Sequence, residues 1–308
     1  MKKTALVLAG GPDAEREVSL KSAACVAEAL RASGDFSVEH RVVGRISGAE
    51  LRSLPGDVVW PVLHGPFGEG GPMQDLLETD GRPYVGCRPA AARLAMDKVA
   101  TKMAAARAGV PTAACAVLNP ADDACPIALP VVLKPIFEGS TIGLFICRTG
   151  AEWAGARAQA LASGKPYMVE PYTPGRELTV GVLEVDGRLR ALPAIEIVPA
   201  DGLYDYEAKY TRDDTQYLVN PVLPGETRTH VVSAAVGLCT AMGVRGLARA
   251  DFMLPSAGGG PILLEVNTMP GFTDHSLVPM AARAVGLDMP ALCATIVRNA
   301  LRAGPARR

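Results

Sequence analysis

Arg249 and Asp251 stand two residues apart in Leu-Ala-Arg-Ala-Asp-Phe-Met, and Glu265 and Asn267 stand two apart in Ile-Leu-Leu-Glu-Val-Asn. Both segments are apolar runs that read as buried strands, so each pair leaves a single face, roughly 6.6 Å apart along its strand. The turn-forming stretch Pro255-Ser-Ala-Gly-Gly-Gly-Pro261 between them predicts a hairpin that sets the two strands side by side. One face then carries three oxygen ligands, Asp251, Glu265 and Asn267, with the Arg249 guanidinium beside them. Hard oxygen donors without His or Cys suit Mg²⁺, which takes a few carboxylates together with nucleotide phosphates at about 2.0–2.1 Å. The pattern reads as a nucleotide–metal site.

Other groups gather meaning from their order. Lys134 closes the buried run Leu-Pro-Val-Val-Leu-Lys; alone it reads as a lysine snorkelling to solvent. The turn Glu138-Gly-Ser140-Thr-Ile-Gly143 follows, and a glycine-bearing turn between strands is either a plain hairpin or a cradle of backbone N–H groups over phosphates. Placed ahead of the acidic hairpin, the two together favour phosphate binding. Glu170 and Glu177 flank Tyr172 at a boundary between segments. They read as solvated linker acids, or as acceptors for an adenine amino group or ribose hydroxyls of a nucleotide wedged there. Lys98, opening its helix, carries the same two readings. Glu15 sits at the start of a helix, where the macrodipole favours an acid whatever its function; its functional reading is an ammonium-binding carboxylate near His64.

The elements that must position these groups follow from periodicity. Lys3 to Ala9 reads as a strand and Asp13 to Ser33 as a helix, followed by strands over Val38 to Val43 and Asp57 to Leu63. A helix over Pro72 to Thr79 and a short strand over Arg82 to Gly86 complete an alternation that predicts a parallel sheet flanked by helices. Ligands collect at the carboxyl ends of such strands, where Gly10-Gly11 and His64 fall. A small mixed α+β unit comes next: a helix from Met96 to Ala108, strands over Ala113–Leu118, Val131–Pro135, Ile142–Cys147 and Tyr167–Pro171, and a helix over Gly150–Ala162. Beyond Gly175 a larger sheet is predicted from Glu177–Val185, Leu189–Val198, Ala248–Leu254 and Ile262–Asn267, with helices over Thr227–Met242, Pro279–Val285 and Pro290–Arg302. Residues Ala200 to Val219 lack a period and are too long for an idle connection, so they read as a functional loop. The expected division is 1–92, 93–174 and 175–308.

Composition narrows the class. The 308 residues are 49% hydrophobic and 20% charged, with a net charge of −1, as in an ordinary globular protein. No stretch is dense in Lys or Arg, which argues against a nucleic-acid or membrane surface. The apolar run at the start is too short for a signal peptide or a membrane span. Seven cysteines, scattered and without a Cys-x-x-Cys pair, are expected to be reduced and mostly buried, and a cytoplasmic location is expected.

In sequence order these pieces resemble the D-alanine–D-alanine ligase family of ATP-grasp enzymes. The likeness runs over nearly the whole chain: Gly-Gly-Pro-Asp-Ala-Glu15-Arg-Glu-Val-Ser-Leu, His64-Gly-Pro-Phe-Gly-Glu69, Met-Asp-Lys98, Val-Leu-Lys134-Pro and Glu-Gly-Ser140. It continues through Tyr-Asp-Tyr-Glu-Ala-Lys209-Tyr210, Arg249-Ala-Asp251-Phe, Glu265-Val-Asn267-Thr-Met-Pro-Gly271 and His-Ser276-Leu277-Val-Pro. The resemblance implies an α/β three-lobed ATP-grasp fold: an N-terminal parallel lobe, a small central α+β lobe and a larger C-terminal mixed sheet. It implies ATP held by Lys98, Lys134, Glu170, Tyr172 and Glu177, with Lys209 reaching the terminal phosphate and two Mg²⁺ (or Mn²⁺) on Asp251, Glu265 and Asn267. Glu15 would take the ammonium of the first D-alanine near His64, and Ser276 and Leu277 would meet the second. Arg249 and the Gly271 N–H would stabilise an oxyanion, and Tyr210 would tie its loop to Ser140. Membership also implies a homodimer. Two positions depart from the family pattern: an acidic pair is Glu69-Gly70 here, and a Gln-Gly step is Gln74-Asp75. Ligases using D-lactate or D-serine as second substrate, or a different acid, are the alternatives. Gly10-Gly11 lacks the Gly-x-Gly-x-x-Gly of a dinucleotide-binding fold.

Overall fold

The structure is a computed structural model that describes residues 2–200 and 214–304. Among the described residues there are three sheets. The first has the order β2-β1-β3, from β1 (Thr4–Gly10), β2 (Ser37–Val43) and β3 (Val58–Pro61), all parallel. The central strand is buried on both faces, which is why Ala5 to Ala9 is an unbroken apolar run with no exposed surface. Helix α1 (Arg16–Ser33) covers one side and lays Val18, Ala23, Val26 and Leu30 on the sheet. Predicted strand Arg82–Gly86 is reduced to a single parallel bridge between Val59 and Tyr84. Short helices α2 (Gly48–Ser53), α3 (Gly65–Gly68) and α4 (Pro72–Asp80) follow the sheet's edges.

The second sheet is antiparallel, in the order β4-β7-β5-β6 from β4 (Ala116–Val117), β5 (Val131–Pro135), β6 (Phe145–Cys147) and β7 (Tyr167–Pro171). Helix α7 (Gly150–Ala162) packs Trp153, Ala156 and Ala160 on it. That helix starts where its sequence says it should, because Thr149 and Glu152 form a reciprocal capping box. Two helices precede the sheet: α5 (Pro89–Met96), which the periodicity does not reveal, and α6 (Lys98–Arg107), whose first turn is capped by Asp97. Ala91, Ala92, Ala95 and Ala105 of these helices pack into the core of the third sheet.

That third sheet runs β11-β10-β8-β12-β13, from β8 (Gly175–Val185), β10 (Ile195–Val198), β11 (Gln216–Val219), β12 (Leu247–Pro255) and β13 (Ile262–Asn267), with β9 (Arg188–Ala191) also paired to β8. The single strand expected over Leu189–Val198 is broken between β9 and β10 at Leu192-Pro193-Ala194, because proline brings no N–H to the ladder. Residues 216–219 are likewise a strand rather than loop, paired with β10. Lys209 and Tyr210 lie outside the described residues. Helix α8 (Gly225–Ala241) covers one face, and α9 (Leu277–Arg283) and α10 (Met289–Ala303) the other. The last two share one apolar core with α1 and β1, so the first and third sheets hold a fixed relation across that layer.

Candidate active site

The hairpin of β12 and β13 forms, with Arg249 opposite Asn267 and Asp251 opposite Glu265. A bulge follows Asp251 and twists the strands locally, a feature common beside functional sites. Asp251 is buried, and its carboxylate accepts a hydrogen bond from the Thr179 hydroxyl at 2.6 Å and two from Arg249 Nε and Nη2 at 2.9 and 2.8 Å. Glu265 lies 3.4 Å from Lys98 Nζ. Asn267 Oδ1 accepts from the Met269 N–H at 3.0 Å, which orients the amide oxygen and leaves it a second lone pair.

Two adjoining cavities meet at this hairpin. The larger, about 1090 Å³ with its open mouth included, lies between the second and third sheets. Lys98, Lys134, Glu170, Tyr172 and Glu177 line it, as do Arg249, Asp251 and Glu265, with apolar walls from Val132, Ile146, Met253 and Leu264. A cleft that combines apolar walls with lysine and arginine side chains suits a nucleotide. The smaller cavity, about 350 Å³, is lined by Glu69, Met96, Asn267 and Thr268 and shares Lys98, Gly139 and Glu265 with the first. Glu265 therefore faces both spaces, with Asp251 on one side and Asn267 on the other. Among the described residues no three His, Cys, Asp or Glu side chains gather to hold a metal. The oxygen set is two carboxylates and one amide, and hard donors of this kind fit Mg²⁺ alongside phosphate oxygens.

The cations of the larger cavity are held in place. Lys134 Nζ lies 2.5 Å from Glu170 Oε1, and both are buried. Burial works against the Glu170 charge, but Lys134 and Lys102 outweigh it and hold the carboxyl below its usual range. Lys98 donates to the Glu138 carbonyl. Tyr172 has the Arg148 guanidinium 5.6 Å from its ring centre.

On the other side of the smaller cavity, the turn between β5 and β6 reaches the first lobe. Ser140 donates a hydrogen bond to the Glu15 carboxylate, and a Cβ on Gly139 would lie 3.1 Å from Glu15 Oε2. Glycine at 139 lets this backbone approach the acid closely. Glu15 occupies the N-cap position of α1, makes no capping bond, and is buried. His64 is buried as well, with Nδ1 3.8 Å from Glu69 Oε1. Burial opposes its protonation, yet the Glu69 contact, the charges of Glu69 and Glu15, and the Met269 carbonyl raise it above the ordinary histidine value. The fold holds the His64 proton more tightly than the unfolded chain does. The resulting stability is complete below pH 6.5, the ordinary value, and fades as the pH rises through the folded-state value. The difference in Tm between wild type and His64→Gln is accordingly expected to shrink as the pH is raised from below 6.5; a pH-independent difference would refute it.

Gly271, Ser276 and Leu277 sit together but line neither cavity. The Ser276 hydroxyl accepts from the Thr273 N–H at 2.8 Å, and a Cβ on Gly271 would come within 2.9 Å of it. Leu277 packs its side chain into the core at the start of α9. The sequence reading does not reach Lys102 or Thr179. Lys102 carries a signal in hindsight: it is one helical turn from Lys98, on the same face. Thr179 carries none, because only strand pairing sets it opposite Asp251.

Two antiparallel sheets closing over a cleft lined by lysines and carboxylates, beside a parallel α/β lobe, define the ATP-grasp class. Residues 107–298 match the family model described as D-ala D-ala ligase C-terminus. The D-alanine–D-alanine ligase of Moorella thermoacetica is 42% identical, over 96% of this chain and 98% of its own. That of Acidiphilium cryptum is also 42% identical, over 97% and 99%. The solved structure of the D-Ala:D-Ser ligase VanG of Enterococcus faecalis matches with a TM-score of 0.84 at 26% identity, over 97% of this chain and all of the other. A D-alanine-D-alanine ligase structure from Coxiella burnetii matches with a TM-score of 0.81 at 24% identity, over 98% and 94%, a likeness of fold. The chain belongs to the D-alanine–D-alanine ligase family.

Proposed function

We infer that the protein joins two D-alanine molecules at the expense of ATP, as a peptidoglycan-precursor enzyme. The observation that supports the reading is that two cavities share Glu265 in their walls, one of nucleotide size and a second bounded by Glu69 and Gly139. Phosphate transfer needs both substrates at one point, and this junction supplies it. The carboxylate of the first D-alanine attacks the terminal phosphorus of ATP, giving an acyl phosphate and ADP. The second D-alanine, its ammonium having released one proton, then attacks the acyl carbon through the free amine, and the tetrahedral oxyanion collapses with loss of phosphate and of a second proton from nitrogen.

In this reading Lys98 and Lys134 neutralise phosphate charge, while Glu170 and Glu177 accept from base and ribose. Asp251, Glu265 and Asn267 hold Mg²⁺, which when bound withdraws charge from the phosphate oxygens. Glu15, fixed by Ser140 and near the raised His64, takes the ammonium of the first D-alanine. Arg249 and the Gly271 N–H face the developing oxyanion, Ser276 and Leu277 meet the second D-alanine, and Lys209 and Tyr210 close over the reacting groups. A divalent ion of Mn²⁺ type can replace Mg²⁺ in such oxygen sites. The same reading places the enzyme in the cytoplasm as a homodimer with lobes at 1–92, 93–174 and 175–308. No helix among the described residues is long and apolar enough to cross a membrane.

The test is phosphate release that requires ATP and D-alanine together, with the dipeptide as product. Release indifferent to D-alanine would sink the assignment. Competing D-serine and D-lactate against D-alanine decides the second substrate. Identity of 42% over nearly the full length to D-alanine–D-alanine ligases supports D-alanine.

A further inference from the structure

Lys102 lines neither cavity, yet among the described residues it is one of three buried lysines, with Lys98 and Lys134. Its ammonium makes one ion pair and two hydrogen bonds. Glu170 Oε2 lies at 2.6 Å, Thr112 Oγ1 at 2.9 Å and the Ala113 carbonyl at 3.0 Å. Thr112 in turn donates to the Leu263 carbonyl on β13. One buried cation thus ties the second sheet, through Glu170 on β7, to the metal-ligand strand of the third.

The charge arrangement is more telling than the bracing. Glu170 sits between two lysines, one oxygen on Lys102 and the other on Lys134. Only Lys134 reaches the nucleotide cleft. A buried carboxylate with a single cationic partner holds it hard, because water cannot share the load. Two partners divide that hold. Granted ATP in the cleft, as inferred above, we propose that Lys102 is a positioning residue for nucleotide binding: it neutralises Glu170 from behind and so leaves Lys134 able to turn its charge toward phosphate. Without Lys102, Glu170 claims Lys134 for itself, and the cleft loses phosphate affinity although no group that touches nucleotide has changed.

The test varies ATP and D-alanine separately in Lys102→Met and Lys102→Gln, reading D-alanine-dependent phosphate release. KM for ATP is expected to rise roughly tenfold, the factor that goes with weakening one charge-assisted contact. KM for D-alanine and kcat at saturating ATP should stay near wild type. Lys102→Arg should restore KM for ATP, since it returns a cation to Glu170. In a Glu170→Gln background, Lys102→Met should add no further rise, because no carboxylate remains to capture Lys134. If Lys102→Met fails to fold, Lys102→Gln still decides the matter, as it keeps donors for Thr112 and Ala113 while dropping the charge. An unchanged KM for ATP, or the same rise in the Glu170→Gln background, overturns the proposal. A wild-type protein that releases phosphate without D-alanine instead overturns the assigned reaction, which is a separate result.

Discussion

Glu265→Gln is expected to yield a folded protein that no longer turns over. The side chain is part-exposed at the junction of the two cavities, and the amide keeps the volume and shape of the acid, so packing is unaltered. What changes is charge. A neutral oxygen replaces the carboxylate that faces both Asp251 across the hairpin and the second cavity, leaving Asp251 as the one anionic ligand of the set. Metal ligation and phosphate alignment then fail together, and kcat should fall on the order of a hundredfold to a thousandfold, as when a transition-state charge partner is lost. Lys98, 3.4 Å away, also loses its counter-charge, so nucleotide without metal is expected to bind no worse. The checks are phosphate release titrated with Mg²⁺ and thermal stability with and without ATP. A wild-type rate at ordinary Mg²⁺ would remove Glu265 from the metal set.

The hairpin that carries this prediction is legible in the sequence because everything that makes it is local. Two apolar runs with acids at alternate positions are joined by a turn that glycine and proline dictate, and the register follows. The parallel sheet is legible for the same reason, since burial on both faces leaves an unbroken apolar strand. The interruption at Pro193 can be read afterwards from proline's missing N–H, whereas the edge strand Gln216–Val219 has four residues, none of them buried, and is too short to declare a period. Short helix α5 hides because alanine lines its buried face, and alanine marks no hydrophobic stripe. Charge balance is the hardest to foresee. Lys102 and Glu170 are 68 residues apart by their numbering, and Thr179 meets Asp251 only through pairing of β8 with β12. Nothing in a linear string says that one carboxylate is shared by two lysines, or which of the two lines the cleft. The resemblance to a known family supplies roles for the cleft residues but does not supply these supports.

Arg249→Met is the second substitution with a large expected effect, and it should act on stability and on rate for separable reasons. Arg249 forms a two-pronged contact with Asp251, and both side chains are largely enclosed. Removing the guanidinium leaves a buried carboxylate that still accepts from the Thr179 hydroxyl, and breaking a buried pair in this way costs about 3–5 kcal/mol. The protein should therefore melt lower without ligand. Mg²⁺ with ATP should recover part of that loss, because a divalent cation can take over the charge of Asp251. The rate should not recover. In the inferred reaction Arg249 must leave Asp251 to the metal and turn to the oxyanion, and methionine offers no donor there, a loss on the order of a hundredfold to a thousandfold in kcat. Arg249→Lys keeps a positive charge but not the planar fork, so it should restore more stability than turnover. Melting curves with and without Mg²⁺–ATP, read beside kcat, separate the two roles. If Mg²⁺–ATP fails to raise the melting point of Arg249→Met while raising that of wild type, Arg249 itself is needed to bind nucleotide, and its assignment to the second half-reaction falls.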